Sequence, residues 1–486
     1  MSLKKKAIYG FSWSMFEGVF GQGAVFLVGI ILARLLDPRD FGLIGIITAF
    51  LSISAFLIDG GLKKALIRKI DVSQVDYSTV FICNVVMGMV LYSILFLFSG
   101  FIADFYGEPS LKLLFRCVGV VLILNSLTII QNTLLIKKMD FKTQGIISII
   151  AITTSGITAI AFAFAGYGIW SLVLYAVLRP MINVLLYWIK SNWKPSLKFS
   201  KKSFNELFNF GYKLLFADLL NTVYNNIYYL LIGKYFSTQS LGYFTRAQQF
   251  QTPISSNIAL GVGRISLPVM SEIQNDKPRL RSVFIKFIRF AAFLNFTLLL
   301  MLAAMAKPLV LLLIGEKWET SIFYLQLLCV SGTLYPLQTL NLNLLMVKGY
   351  SDRYLKLEVI KKLILLPLVF VTVLFSIEVM LYGLIVFAFF ELYLNSFYTT
   401  KLIDLNLLGQ IRQVAPFIGI GLMNFAVVFP LSFIENLSMF ELLVLQIGVG
   451  IVSTLILNEL FKTSEYKEVK TMFVQILKQY LKLGAQ

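Results

Sequence analysis

Residues 79–103 read TVFICNVVMGMVLYSILFLFSGFIA and contain no charged side chain. A helix rises about 1.5 Å per residue, so a stretch of this length spans the roughly 30 Å hydrocarbon core of a bilayer. Backbone polar groups inside lipid must be satisfied within the segment, and a helix achieves this. The stretch therefore predicts a transmembrane helix in an all-α, polytopic membrane protein.

The composition of the whole chain leads to the same fold class. The 486 residues are 58% hydrophobic and 14% charged, whereas soluble domains carry about 25% charged residues. The chain has no histidine, which excludes Ser-His and Cys-His catalysis and HExxH zinc sites. Cys83, Cys117 and Cys329 lie singly in apolar runs, so neither disulfides nor a metal cluster is expected. An ordinary soluble enzyme is thereby excluded, and no cofactor is predicted.

The same length criterion predicts fourteen transmembrane helices along the chain. The first, seventh and eighth of them are unusually polar for helices that face lipid. The fourteen spans cover about 11–33, 41–58, 79–103, 112–135, 144–166, 168–189, 209–232, 242–268, 284–313, 321–347, 357–376, 379–400, 413–434 and 437–459.

Basic residues alternate between the two ends of these spans. With the N-terminus in the cytoplasm, 34 of the 43 basic residues fall at cytoplasmic ends, eight at outer ends, and Arg179 within a span. An excess of Lys and Arg is typical of cytoplasmic loops. The pattern predicts both termini in the cytoplasm, and it attributes the formal charge of +18 to topology rather than to nucleic-acid binding.

Two segments of the chain are similar at an offset of 200 residues. Residues 33–42 read ARLLDPRDFG and residues 233–242 read GKYFSTQSLG. Further along, Arg179 and Glu391 occupy equivalent positions in two six-helix blocks. The similarity predicts a 6+6 repeat around a central cavity, with an axis along the membrane normal. The expected domains are a six-helix lobe at 1–200, a second lobe at 201–405, two additional helices at 406–460 and a cytoplasmic amphipathic tail at 461–486.

The start of the chain is expected to remain in the mature protein. Its basic residues are followed by a long apolar run that contains Glu17, which does not match a cleavable signal peptide.

Polar residues inside the seventh and eighth predicted helices are candidate substrate-binding residues. Intramembrane charges are costly, and they usually face a bundle interior. The planar guanidinium of arginine fits phosphate oxygens, so an anionic headgroup is one candidate ligand. Hydrogen bonding between helices and anchoring to lipid phosphate are the structural alternatives. The candidate substrate-binding residues are Arg264, Arg246, Asn257, Gln249, Asn221 and Asn225.

Four charged residues are candidates for ion coupling or gating. Glu17 and Asp218 align approximately between the two repeats, and Arg179 and Glu391 are opposite charges at equivalent positions. The opposite charges of Arg179 and Glu391 suggest an ion pair. The pair would either act as a gate or simply neutralise two buried charges. Because histidine is absent, a carboxylate must carry the proton if transport is coupled to protons. The chain has no GxxxxGK[ST] motif, so ATP hydrolysis by this chain is not expected.

Six motifs in order give the chain a family resemblance. They are Ala33-Arg34-Leu-Leu-x-Pro-x-Asp-Phe-Gly42-Leu, Gln131-Asn132-x-x-Leu-x-Lys-Lys-Met-Asp-Phe141, Gly166-Tyr-Gly-Ile-Trp170-Ser-Leu, Leu241-Gly-Tyr-Phe-Thr-Arg246-Ala-Gln, Arg264-x-x-x-Pro268-Val-Met-Ser and Gly315-Glu-Lys-Trp318. With them, nearly the whole chain resembles the Wzx-type oligosaccharide flippases of bacterial polysaccharide biosynthesis, in particular the lipopolysaccharide, O-antigen and teichuronic-acid branch of the MOP superfamily.

The resemblance implies a function in the bacterial cytoplasmic membrane. The implied substrate is an undecaprenyl-diphosphate-linked oligosaccharide, moved from the inner to the outer leaflet by alternating access with proton or sodium coupling. Membrane lipid and polysaccharide polymerase or assembly proteins are the implied partners. A cation-coupled multidrug antiporter of the related MATE type is the alternative, and it predicts acidic cavity residues. A membrane glycan polymerase or ligase would need a large outer loop, which the sequence lacks.

Overall fold

The computed structural model describes residues 3–468 and 470–471. These residues form helices joined by turns and short loops, and they contain no β-strand. The prediction of an all-α protein is therefore confirmed. Most of the amphipathic tail predicted at 461–486 lies outside the described residues.

Nineteen α-helices and two short 3-10 helices, at Glu316–Trp318 and Phe429–Phe433, follow one another in the described chain. The α-helices are α1 Leu3–Leu35, α2 Pro38–Asp59, α3 Leu62–Arg68, α4 Gln74–Tyr106, α5 Ser110–Val118, α6 Val121–Ser126, α7 Ile129–Lys137, α8 Phe141–Phe164, α9 Trp170–Lys190, α10 Lys201–Tyr235, α11 Thr238–Glu272, α12 Lys277–Ala304, α13 Ala306–Ile314, α14 Thr320–Gly332, α15 Tyr335–Val347, α16 Ser351–Thr372, α17 Ile377–Ile403, α18 Leu407–Val428 and α19 Met439–Leu460.

Eleven helical segments among the described residues are long and apolar enough to cross a membrane. They correspond to eleven of the predicted spans. The other three predicted spans coincide with α10, α11 and α16, which are of sufficient length but carry more polar and charged residues. The multi-pass fold is thus confirmed, and the count of fourteen spans stays a prediction.

Packing divides the chain into two compact units, residues 1–245 and 246–486. In the first unit, α1 packs on α8 and α10 packs on α2, α3 and α4. In the second, α12 packs on α18, so the additional C-terminal helices are part of this unit. The predicted lobes at 1–200 and 201–405 divide the chain earlier, because sequence repeats indicate equivalent segments and not which neighbours each segment packs against. These lobe boundaries stay a prediction.

A buried amide network attaches α18 to the second unit. The side chains of Asn341 in α15 and Gln410 in α18 donate to each other at 3.0 Å in both directions. The hydroxyl of Thr399 in α17 donates to the same Asn341 oxygen at 2.6 Å. All three residues are buried, and hydrogen bonds in a buried setting are costly to leave unmade. The network therefore fixes the positions of α15, α17 and α18 relative to one another.

Candidate functional site

The junction between α1 and α2 has the same helix boundaries as the junction between α10 and α11. The helix α1 ends at Leu35 and α2 begins at Pro38, while α10 ends at Tyr235 and α11 begins at Thr238. Each boundary is shifted by the offset of 200 residues that the sequence similarity predicts. Both junctions lie in the first compact unit.

The two junctions pack on each other reciprocally through glycines. A Cβ atom on Gly42 would lie 1.7 Å from the carbonyl oxygen of Thr238, and one on Gly242 would lie 1.9 Å from the carbonyl oxygen of Pro38. No side chain fits at either place, so glycine is required at both. The offset that relates Gly42 to Gly242 also relates Pro38 to Thr238, which supports the equivalence of the two segments. The complete six-helix repeat stays a prediction.

Glu108, just after α4, binds both junctions. One carboxylate oxygen accepts from Nη2 of Arg39 at 2.5 Å, and the other accepts from the Thr238 hydroxyl at 2.7 Å. Nearby, the Lys234 ammonium donates to the carbonyl oxygen of Phe105 and lies 4.1 Å from the centre of its ring. We call the contact between the two junctions at Gly42 and Gly242 the glycine crossing. The contacts of Glu108 and Lys234 stabilise the glycine crossing, and they would have to break if the junctions separated.

The predicted coupling residue Asp218 lies in α10 beside the turn that joins α2 to α3. Its carboxylate forms an ion pair with Nζ of Lys64 at 2.5 Å. A Cβ atom on Gly61 in that turn would lie 2.2 Å from the carbonyl oxygen of Gly211 in α10. The close backbone contact brings Lys64 within reach of Asp218. Asn221 is half-buried on the same helix, and the candidate residue Asn225 is exposed.

Glu17 and Arg179 are both half-buried in the first unit. The Cβ atom of Glu17 lies 3.3 Å from the position that a Cβ on Gly145 of α8 would take. Glu17 is also within electrostatic reach of Tyr187 in α9, whose hydroxyl accepts from Asn132 at 2.9 Å. Among the described residues, Glu17 makes no ion pair.

The two arginines of α11 have different environments. Arg246 is half-buried, donates to the Gln249 side chain one turn later, and lies 5.9 Å from the ring centre of the buried Trp318. Arg264 is exposed and forms no ion pair with any residue that the structure describes. The candidate residue Asn257 is exposed as well. Arg246 is thus engaged within the second unit, while the guanidinium of Arg264 remains available to an anionic ligand.

Glu391 has a cationic partner inside its own unit. The ammonium of Lys361 in α16 lies 2.8 Å from its carboxylate and also contacts Glu358. Lys361 therefore neutralises Glu391 without Arg179. The ion pair between Glu391 and Arg179, which their equivalent positions suggest, stays a prediction.

Sequence reasoning missed Lys361 as a site residue because it treated the basic residues around it as loop charges. The structure corrects this: Lys361 lies at the middle of α16 and its side chain is only 4% exposed. The charges of Glu358, Lys361 and Lys362, three and four positions apart inside the predicted span 357–376, are the signal that was available. Among the described residues, no group of three or more His, Cys, Asp or Glu side chains is placed to hold a metal ion.

The chain is similar to several proteins named for the biosynthesis or transport of lipopolysaccharide, teichuronic acid or succinoglycan. It is 26% identical over 373 residues to the lipopolysaccharide biosynthesis protein WzxC of Escherichia coli K12, covering 76% of this chain and 75% of the relative. It is 27% identical over 299 residues to the teichuronic acid biosynthesis protein TuaB of Bacillus subtilis 168, covering 61% and 62%. The succinoglycan biosynthesis transport protein ExoT of Rhizobium meliloti 1021 is 23% identical over 328 residues, covering 67% and 66%.

Solved structures show the same fold. The lipid II flippase MurJ in an inward closed conformation matches with a TM-score of 0.75 at 15% identity, covering 95% of this chain and 99% of that one. A multidrug resistance MATE transporter of the MOP superfamily, in an inward-facing conformation, matches with a TM-score of 0.62 at 14% identity, covering 80% and 99%. The chain therefore shares its fold with MurJ and with this MATE transporter.

A family model described as "Polysaccharide biosynthesis protein" matches residues 31–323. The matched region contains both glycine junctions, Arg246 and Arg264. Because it covers more than half of the sequence, the chain belongs to the polysaccharide biosynthesis protein family.

Proposed function

We propose that this protein is a flippase that moves an undecaprenyl-diphosphate-linked oligosaccharide from the inner to the outer leaflet of the bacterial cytoplasmic membrane. The observation that carries the proposal is its relationship to proteins named for lipopolysaccharide and teichuronic acid biosynthesis and succinoglycan transport. The fold of a membrane transporter is consistent with it. The product would be used to build a cell-surface polysaccharide, with polymerase or assembly proteins as downstream partners.

The physical need for such a protein lies in the headgroup of the substrate. A sugar chain cannot enter hydrocarbon without leaving polar groups unsatisfied, at several kcal/mol for each group. A polar path through the protein replaces water for the headgroup, while the polyprenyl tail stays in lipid. If the diphosphate crosses with about two uncompensated charges, an inside-negative potential of 100 mV favours export by roughly 4–5 kcal/mol.

Arg264 is the residue that we assign to the diphosphate. Its side chain is exposed, and its guanidinium forms no ion pair with a described residue. A planar guanidinium can bind phosphate oxygens through two parallel hydrogen bonds. Arg246 makes a hydrogen bond to Gln249, so it would have to give up this contact before binding substrate. Asn257, Asn221 and Asn225 would contribute hydrogen bonds to the sugars.

Alternating access requires one tight contact to open while another closes. The reciprocal crossing at Gly42 and Gly242 is the element that we propose opens at the outer face, since Arg39 and Lys234 are outer-end charges in the predicted topology. Opening would break the contacts of Glu108 with Arg39 and Thr238. Proton or sodium coupling through Glu17, Asp218 or Glu391 would set the direction.

Transport into proteoliposomes tests the role of Arg264. We expect Arg264→Ala to reduce translocation of a fluorescent undecaprenyl-diphosphate oligosaccharide at least tenfold, because a charge-assisted contact worth about 1.5–3 kcal/mol is lost. The matched control is Arg279→Ala, which also removes an exposed arginine. Equal loss in both variants, or loss in neither, would remove Arg264 from the substrate site.

A MATE-type drug antiporter is the second candidate, since such a transporter shares the fold. That function predicts carboxylates free to bind cationic drugs. In this chain two of the three candidate carboxylates are paired, Asp218 with Lys64 and Glu391 with Lys361, which favours the flippase. We also infer that the protein has no catalytic role, since the named relatives include transport proteins and the chain lacks histidine.

A further inference from the structure

Four ionisable side chains form a charge quartet between the neighbouring helices α16 and α17 of the second unit. Its members are Glu358, Lys361 and Lys362 in α16, and Glu391 in α17. Their side chains are 17%, 4%, 13% and 21% exposed. Lys361 and Glu391 both lie near the middle of their helices.

Such an arrangement is costly if its role is only to pack helices. A charged side chain at the bilayer centre costs about 2.5–3.5 kcal/mol on insertion scales. Apolar residues of similar volume often replace a buried ion pair with no loss of stability. Ionisable residues inside a membrane protein are therefore functional candidates with their partners, and here the partners are known.

The geometry of the quartet resembles a cation site. The Lys361 ammonium lies 2.8 Å from Oε1 of Glu391 and makes a still shorter contact with Oε1 of Glu358. The second oxygen of Glu358 lies 3.6 Å from Nζ of Lys362. Two carboxylates that converge on one point offer the oxygen ligands that hard cations take in proteins. In this chain, a tethered ammonium occupies that point.

We propose that Lys361 is a built-in cation, which takes the place that a sodium ion would otherwise occupy between Glu358 and Glu391. The quartet then carries two positive and two negative charges and needs no ion from solution. Glu391 therefore does not load a coupling ion while Lys361 is in place. This inference deepens the proposed function in one respect only, the identity of the coupling residue, and it leaves Glu17 and Asp218 as the remaining candidates.

Sodium binding to purified full-length protein tests the proposal without a transport assay. Lys361→Met removes the ammonium and keeps an unbranched apolar stem. The variant leaves two half-buried carboxylates facing one Lys362, so a sodium ion that binds them stabilises the folded state by mass action. We expect the Tm of Lys361→Met to rise by several degrees, saturably, when NaCl replaces choline chloride at constant ionic strength. The wild type should show no such rise.

Two further variants separate the site from a general loss of stability. Lys361→Arg keeps a cation and should be indifferent to sodium. Lys361→Met combined with Glu391→Gln leaves one carboxylate and one ammonium, so it should fold and should not respond to sodium.

Three results would overturn the proposal. The first is a Tm of Lys361→Met that is equal in both salts. The second is a wild-type protein that sodium stabilises and that loses this response in Glu391→Gln. The third is a Lys361→Met variant that cannot fold even in sodium while the double variant folds. Failure of the flippase assay with any of these proteins would bear on the proposed function and leave this test unaffected.

Discussion

The pairing of single charged residues decides which of them are candidates for substrate binding and ion coupling. Sequence patterning predicts that Asp218 and Glu391 are intramembrane carboxylates, because charges are rare inside apolar runs. It could not identify their partners, since Lys64 and Lys361 are distant in sequence and were interpreted as topology signals. The structure pairs both carboxylates with these lysines. Pairing across helices depends on packing, which a single sequence does not display.

Glu17 differs from the other two carboxylates in having no ion pair among the described residues. A carboxylate without a cationic partner can take up and release a proton or sodium ion without leaving a lysine unpaired. We predict that Glu17→Gln abolishes the stimulation of transport by an ion gradient in proteoliposomes, because the neutral amide cannot change charge. The measurement is initial transport rate with and without the gradient.

The control for this prediction is Asp104→Asn, which neutralises an exposed carboxylate in α4 and should retain full stimulation. Undiminished stimulation in Glu17→Gln would show that Glu17 is not the coupling residue.

For the helices, similarity within the sequence predicts which segments are equivalent. It does not predict which helices pack against each other. The offset of 200 residues predicted that the α1–α2 and α10–α11 junctions are equivalent, and their helix boundaries agree. Nothing in the sequence indicated that these junctions touch each other at Gly42 and Gly242. Glycine has many uses in transmembrane helices, so a close approach can be assigned only once both backbones are placed. Likewise, the charges of α16 lie near a predicted loop. They were therefore interpreted as loop charges, and α16 was not predicted to be a polar helix.

The glycine crossing makes a prediction about opening. Gly42→Ala places a methyl group where the carbonyl oxygen of Thr238 lies, 1.7 Å away, so the crossing cannot close without backbone movement. Overpacking of this kind costs about 1–3 kcal/mol. We expect a lower Tm and faster labelling of a cysteine placed at the buried Thr238 by a water-soluble thiol reagent, in a background without the native cysteines.

The control is Gly448→Ala, where a Cβ atom meets nothing within 4 Å; it should change neither the Tm nor the labelling rate. Slow labelling at Thr238 in the Gly42→Ala protein, equal to that of its parent, would show that the crossing does not need the glycine.

At the scale of the whole molecule, composition and charge distribution were sufficient for the fold class. Long apolar runs and few charged residues predict a membrane protein, and the described residues contain eleven segments that can cross a membrane. The mean hydropathy of α10, α11 and α16 is lower, because these helices contain more polar and charged residues. They are long enough to cross a membrane, but hydropathy alone does not predict that they do so. The compact units meet at residue 245, because α10 packs against α2, α3 and α4, and the lobes at 1–200 and 201–405 stay a prediction.

The proposed function of this protein is the translocation of a lipid-linked oligosaccharide. The most direct measurement reconstitutes the purified protein in liposomes that contain a fluorescent undecaprenyl-diphosphate oligosaccharide, and follows the fraction of headgroups that an impermeant quencher can reach. We expect that headgroups initially shielded from the quencher become accessible within minutes, and that a cationic drug is not transported. No change relative to protein-free liposomes, together with uptake of the cationic drug, would contradict it.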